Sequence, residues 1–222
     1  MDPGARLFAE ARSRMVDGQV RPNKVTDPRI IAAMRQLPRE RFVPPALAPL
    51  AYADEDVPLG EHRVLIAPAV IARLVQLTAV APGERTLVVA AGTGYGAALL
   101  AACGARVTAL EEAGSLQEIA HAALAELAPS VNLVAGPLSS GWPPGAPYDV
   151  ILVEGAVREI PQAIGEQLRQ QTGRLVTVYT GNGGVGQAVL AETSAAGLRT
   201  RPMFDCTTPV LPGLTQSPRF VF

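Results

Sequence analysis

The chain of 222 residues carries 19 basic and 20 acidic side chains, a net charge of −1, and Lys24 is its sole lysine, which leaves no broad basic surface for nucleic acid. Its two cysteines, Cys103 and Cys206, are far apart and lack the CxxC spacing of a metal site or the density of a disulfide scaffold, so no metal is expected. The opening Met1-Asp-Pro-Gly-Ala-Arg6 has no apolar stretch and no later run reaches about 18 apolar residues, so no membrane partner and a cytoplasmic location are expected.

Residues 5–18 and 27–37 read as two short helices, the second opened by the cap-like Thr26-Asp27-Pro28 and stopped before Pro38. From Phe42 to Pro68 prolines punctuate the chain too often for a long helix or strand, which suits a lid or substrate-facing segment. Residues 69–79 have apolar positions at helical spacing and lead through Pro82-Gly83 into a buried strand. Elements then alternate: strand 86–91, helix 95–103, strand 106–110, helix 115–127, strands 131–135 and 148–153, helix 159–170, strand 173–180. Such alternation predicts an α/β, doubly wound parallel sheet with helices on both faces and a ligand at the carboxyl ends of its strands. Residues 186–193, 198–207 and 219–222 are rich in strand formers and are expected to close the sheet antiparallel, with a hairpin turn at Gly181 to Gly186. The organisation is therefore residues 1–80 as an N-terminal helical extension with a substrate-side loop and 81–222 as the core, one compact domain together.

The chemistry concentrates between strands 86–91 and 106–110. Gly92 and Gly94 allow backbone to approach a ligand, the following helix offers free N–H groups, and Glu111, about 20 residues on, can take a ribose diol. Gly92-x-Gly94-x-x-Ala97 also fits a dinucleotide, the competing cofactor. S-Adenosylmethionine is favoured by the long helical lead and by the absence of a second domain for a hydride acceptor. Neither His62 nor His121 lies in a pattern suited to hydride-transfer acid/base chemistry.

Blocks beyond the glycines extend the pattern. Leu37-Pro-Arg-Glu-Arg-Phe-Val-Pro44, Tyr52, Pro58-Leu-Gly60, Pro68, Gly92-Thr-Gly-Tyr95, Gly141-Trp142, Pro147-Tyr-Asp-Val-Ile-Leu-Val153 and Glu159-Ile-Pro161 occur in this order. Over roughly residues 10–180 the chain resembles the protein-L-isoaspartate O-methyltransferases, as a divergent member. The resemblance implies a seven-stranded Rossmann-like S-adenosylmethionine methyltransferase fold. It also implies methyl transfer to isoaspartyl residues of damaged proteins or peptides, a step of protein repair. Gly92, Thr93, Gly94 and Tyr95 would pass beneath the donor, and Glu111 would hold its ribose. Monomer and homodimer stay open.

Three departures from the family pattern qualify that implication. The family's Gly-Asp-Gly at the adenine is here Gly136-Pro137-Leu138, leaving Pro137 and Leu138 to pack on the ring. Val88 and Ala90 stand where the family has an acid and a glycine, and Glu154, expected at the end of strand 148–153, is a candidate substitute for the acid. The family's Thr-Ile-Ser series at the acceptor is here Val64-Leu65-Ile66, which places Ile66 at the acceptor and leaves Arg63 to clamp a carboxylate. The competing reading is a member that binds a ligand or partner without isoaspartyl methylation, or that methylates another carboxylate or a small molecule.

Overall fold

The computed structural model describes residues 3–181, 185–195 and 197–214; the strand expected over 219–222 and the middle of the Gly181 to Gly186 turn lie outside the described residues. The chain opens with α1 (Pro3–Met15), whose expected continuation to residue 18 is a π-helical turn over Val16–Val20. Helix α2 (Pro28–Gln36) starts where Asp27 accepts from the Arg29 N–H at 2.8 Å, with Pro28 at the first turn where its missing donor costs nothing. The proline-rich stretch holds two 3₁₀ turns, Arg39–Phe42 and Pro45–Leu50, and a hairpin of β1 (Val57–Gly60) and β2 (Arg63–Leu65). Helix α3 (Pro68–Leu77) follows.

The core elements are β3 (Arg85–Val89), α4 (Tyr95–Ala102), β4 (Arg106–Glu111), α5 (Gly114–Leu127), β5 (Asn132–Ala135), β6 (Val150–Val157), α6 (Gln162–Gly165), β7 (Arg174–Tyr179), β8 (Gln187–Ser194) and β9 (Gly197–Asp205). They build an α/β fold on a seven-stranded sheet of order β5-β4-β3-β6-β7-β8-β9. Neighbours from β5 to β7 are parallel, while β7–β8 and β8–β9, which follow one another without an intervening helix, are antiparallel as expected. Strand order reverses between β3 and β6, so a crevice opens at their carboxyl ends.

Period-two alternation sends Val88, Ala109, Leu152 and Val176 to one face and Leu87, Leu110, Ile151 and Leu175 to the other. The first face is thickly covered by α2 to α5 and the N-terminal turns. The second is covered thinly, by Leu138, Ile164, Leu168, Leu211 and Leu214 from short segments. The helix expected over 159–170 shrinks to four residues there. Tyr148 takes the backbone beyond it, donating to the Gln167 carbonyl at 2.8 Å and accepting from Arg169 at 2.7 Å, so a strand-like bridge replaces further helical turns.

Candidate functional site

The turn between β3 and α4 meets Glu111 at the end of β4. Gly92 and Gly94 hold φ of +57° and +92°, which suits glycine, and Gly94 caps α4 so closely that a Cβ would meet Leu124 at 2.9 Å. The Glu111 side chain is fully buried. Its Oε2 accepts from Gly92 N–H at 2.7 Å; its Oε1 accepts from Glu112 N–H at 2.9 Å, Ala113 N–H at 3.1 Å and Arg63 Nη1 at 3.0 Å. Arg63 also donates through Nη2 to the Ala90 carbonyl. Its guanidinium thus faces inward to the glycine turn in this structure, and its charge is paired with Glu111.

A second layer lies behind the turn. Thr93 donates from its hydroxyl to the Phe42 carbonyl at 2.6 Å, tying the turn to the 3₁₀ segment Arg39–Phe42. Tyr95 is buried against Phe42, ring centroids 5.2 Å apart and edge-on, with the Arg39 guanidinium carbon 4.9 Å from its own ring centroid. Arg39 is fully buried and donates to the carbonyls of Ala51, at 2.6 Å, and Ile66. Nothing in a lone arginine between Pro38 and Glu40 signals this anchoring role; only its confinement between buried Leu37 and Phe42 hints at it.

Glu154 falls inside β6 rather than at its end, because that strand runs on to Val157 through an irregularity between Leu152 and Ala156. Pairing with β3 stops at Val153, so Glu154 is the first residue past the shared edge, and its carboxylate packs where a Cβ of Gly96 would otherwise be. Burial pushes its pKa up to about 8, against the pull of Arg63, Arg39 and the Gly96 N–H, while Glu111 pushes it further up. Glu154 Oε2 is buried without a hydrogen-bond partner, while the Tyr95 hydroxyl and the Arg39 guanidinium face one another. An unmatched buried acceptor of this kind suits a ligand that brings a hydrogen-bond donor.

The remaining expected site residues take quieter places. Ile66 has its side chain in the core of the first face, and its carbonyl is engaged by Arg39. Leu138 is buried in the second-face core, with its N–H on Glu112 Oε2 at 3.2 Å, while Pro137 beside it is exposed. Val88 is fully buried among apolar neighbours. Asp56 accepts from the Ala67 N–H at 2.7 Å and so fixes the loop that enters α3; burial raises its pKa.

Comparison with known proteins places these residues in context. The family model described as protein-L-isoaspartate(D-aspartate) O-methyltransferase matches residues 10–192. The protein-L-isoaspartate O-methyltransferase of Methylorubrum extorquens (strain PA1) is 45% identical over 168 residues, 76% of this chain and 73% of that protein. Protein-L-isoaspartate O-methyltransferase 1 of Rhodopseudomonas palustris (strain HaA2) is 39% identical over 203 residues, 90% and 82% of the two chains. A solved protein-L-isoaspartate O-methyltransferase superposes with a TM-score of 0.76 at 25% identity, covering 91% of this chain and 67% of its own. A Plasmodium falciparum structure in complex with S-adenosyl-L-homocysteine shares the fold, with a TM-score of 0.74 at 17% identity over 93% and 98% of the chains.

Proposed function

The chain belongs to the protein-L-isoaspartate(D-aspartate) O-methyltransferase family, and from that premise we propose that it is an S-adenosylmethionine-dependent methyltransferase acting on isoaspartyl residues of damaged proteins or peptides. The observation that carries this reading is Glu111, fully buried at the end of β4 and bonded to the Gly92 N–H of the turn, a placement suited to holding a ribose diol. The residues fit the donor: Gly92 to Tyr95 supply a backbone cradle, Glu111 the diol acceptor, and the orphaned Oε2 of Glu154 a partner for an ammonium group. Pro137 and Leu138 flank the adenine side.

When bound, the donor supplies an electrophilic methyl group on a sulfonium. An acceptor carboxylate is already ionised at neutral pH, with an ordinary pKa of about 4, so no general base is required. The work left to the chain is alignment and exclusion of water, which the buried second layer around Phe42, Tyr95 and Arg39 serves. Residues 1–80 then form the substrate-side extension and 81–222 the methyltransferase core. A cytoplasmic location, and action without nucleic acid, accord with the balanced charge; among the described residues no helix is long and apolar enough to cross a membrane.

A second reading is favoured by one observation. Ile66 offers no hydroxyl at the acceptor side and is packed into the core, so the acceptor could be another carboxylate or a small molecule, or the chain could bind a ligand without this transfer. Purified protein incubated with methyl-labelled donor and an isoaspartyl peptide is expected to form a base-labile methyl ester. Intact S-adenosylhomocysteine binding without ester formation would sink the isoaspartyl assignment in favour of the second reading.

A further inference from the structure

Four donors reach the Glu111 carboxylate, three crowded on Oε1, which has two lone pairs, and one on Oε2. Three come from backbone N–H groups of Gly92, Glu112 and Ala113, which the strand end and the glycine turn fix in position. The fourth comes from Arg63, the only partner on a movable side chain. The same guanidinium covers the open side of the turn: a Cβ at Gly92 would meet Arg63 Nη2 at 3.9 Å and Leu59 Cδ1 at 3.8 Å. Both residues come from the β1–β2 hairpin, which forms a two-stranded sheet of its own outside the seven-stranded one.

That hairpin is lightly built. Its strands have four and three residues, and an isolated two-stranded ribbon is marginal in stability. Its two-residue loop, Glu61-His62, has φ of +51° and +56°, the backbone of a type I′ turn that Asn-Gly adopts without strain and that these side chains do not. Arg63 also borders a groove of about 550 Å³, lined by Pro58, His62, Arg63, Val64, Pro209 and Val210.

We propose that Arg63 is a latch that holds the ribose-recognition carboxylate of Glu111 until the methyl donor displaces it, so that the donor binds first and the freed guanidinium becomes the clamp for the acceptor carboxylate. The proposal rests on the reading of Glu111 as the ribose acid. It accounts for a charged residue at the acceptor side that spends its charge internally in this structure. One ribose hydroxyl takes the place of Arg63 on Oε1 and the other takes the lone pair left on Oε2, which accepts only from Gly92, so the carboxylate is never left short of donors. Arg63 then leaves the Ala90 carbonyl and turns on its hairpin toward the groove. An acceptor arriving before the donor finds the Arg63 guanidinium already paired with Glu111, which gives the order of addition.

The test is calorimetric titration of the full chain with S-adenosylhomocysteine, comparing wild type with Arg63→Met, which keeps much of the aliphatic bulk, and Arg63→Lys. Arg63→Met is expected to bind the product at least tenfold more tightly, because the competing partner of Glu111 is gone, and to melt lower than wild type without ligand but recover on adding it. Arg63→Lys, which keeps one charged donor, falls between the two. In turnover, Arg63→Met lowers the KM for donor and raises the KM for the isoaspartyl peptide about tenfold, an opposed split that general damage would not give. Binding that is equal to or weaker than wild type in both variants overturns the latch and leaves the cofactor reading standing. No binding by wild type or either variant overturns the ribose role of Glu111, and the latch with it. Should Arg63→Met fail to fold, Leu59→Ala, which thins the same cover without touching a charge, is expected to tighten product binding by a smaller factor; unchanged binding there also counts against the latch.

Discussion

The two walls of the site are held by different forces. The donor-side wall is mostly backbone: β3, β4 and the turn set the positions of Gly92, Gly94 and Glu111 through ladder bonds and three N–H groups on one carboxylate. The acceptor-side wall, from Pro38 to Ala67, is held by side chains reaching across the chain: Arg39 to the carbonyls of Ala51 and Ile66, Asp56 to the Ala67 N–H, and Thr93 to the Phe42 carbonyl. A backbone-built wall survives substitution of most side chains, since its geometry belongs to the fold. A side-chain-built wall fails one residue at a time, and each failure leaves a buried polar group unmatched.

Arg39→Ala should separate the walls most sharply. It removes a fully buried side chain, opens a cavity beside Tyr95 and leaves carbonyls of Ala51 and Ile66 short of a donor, which together destabilise by about 4 kcal/mol. Urea denaturation reads the loss directly. A cost below about 1 kcal/mol would mean that the acceptor-side wall does not depend on this residue.

Glu154 lies where the walls meet, and its signature is a dependence on pH. Its native pKa of about 8 is above the ordinary 4.5, so between those values the native state keeps a proton that the unfolded chain gives up. Its contribution is therefore fully present below about pH 4.5 and is lost as pH rises through about 8, by roughly 3 kcal/mol once relaxation around the buried charge is allowed for. Glu154→Gln should abolish that slope and make the variant the more stable protein at pH 9. Parallel stability profiles for the two proteins would show that Glu154 ionises freely.

These contrasts also explain what could be read from the sequence. The sheet was legible because β3, β6 and β7 are apolar runs bounded by turns, and because the glycine turn and Glu111 are neighbours along one β-α-β unit. The helix expected over 159–170 is cut to Gln162–Gly165, because apolar spacing is silent about the bridge that Tyr148 makes to Gln167 and Arg169. The pairing of Arg63 with Glu111 joins residues 48 apart in sequence, and no local pattern encodes it. Arg39 escaped notice for the same reason: its partners are carbonyls, which every residue has.

The smallest expected effect tests whether the donor-side wall really belongs to the backbone. Ala90 and Gly92 stand two apart in one turn with nearly the same left-handed φ, +61° and +57°. Gly92→Ala adds a methyl group to a left-handed residue with only loose neighbours at 3.8 and 3.9 Å, so strain dominates and the fold loses about 1 kcal/mol. Ala90→Gly runs the exchange in reverse at a fully buried position. Relief of strain, about 1–2 kcal/mol, is offset by about 0.8 kcal/mol for the lost buried methyl and by about 0.4–1 kcal/mol for the looser unfolded chain. The net change should centre on zero and stay within about 0.8 kcal/mol of it. Burial of the Ala90 methyl group in the second-face core is what compensates the left-handed backbone. Chemical denaturation of the two variants side by side decides the point, and a stabilisation of Ala90→Gly as large as the loss in Gly92→Ala would mean that strain alone governs the turn.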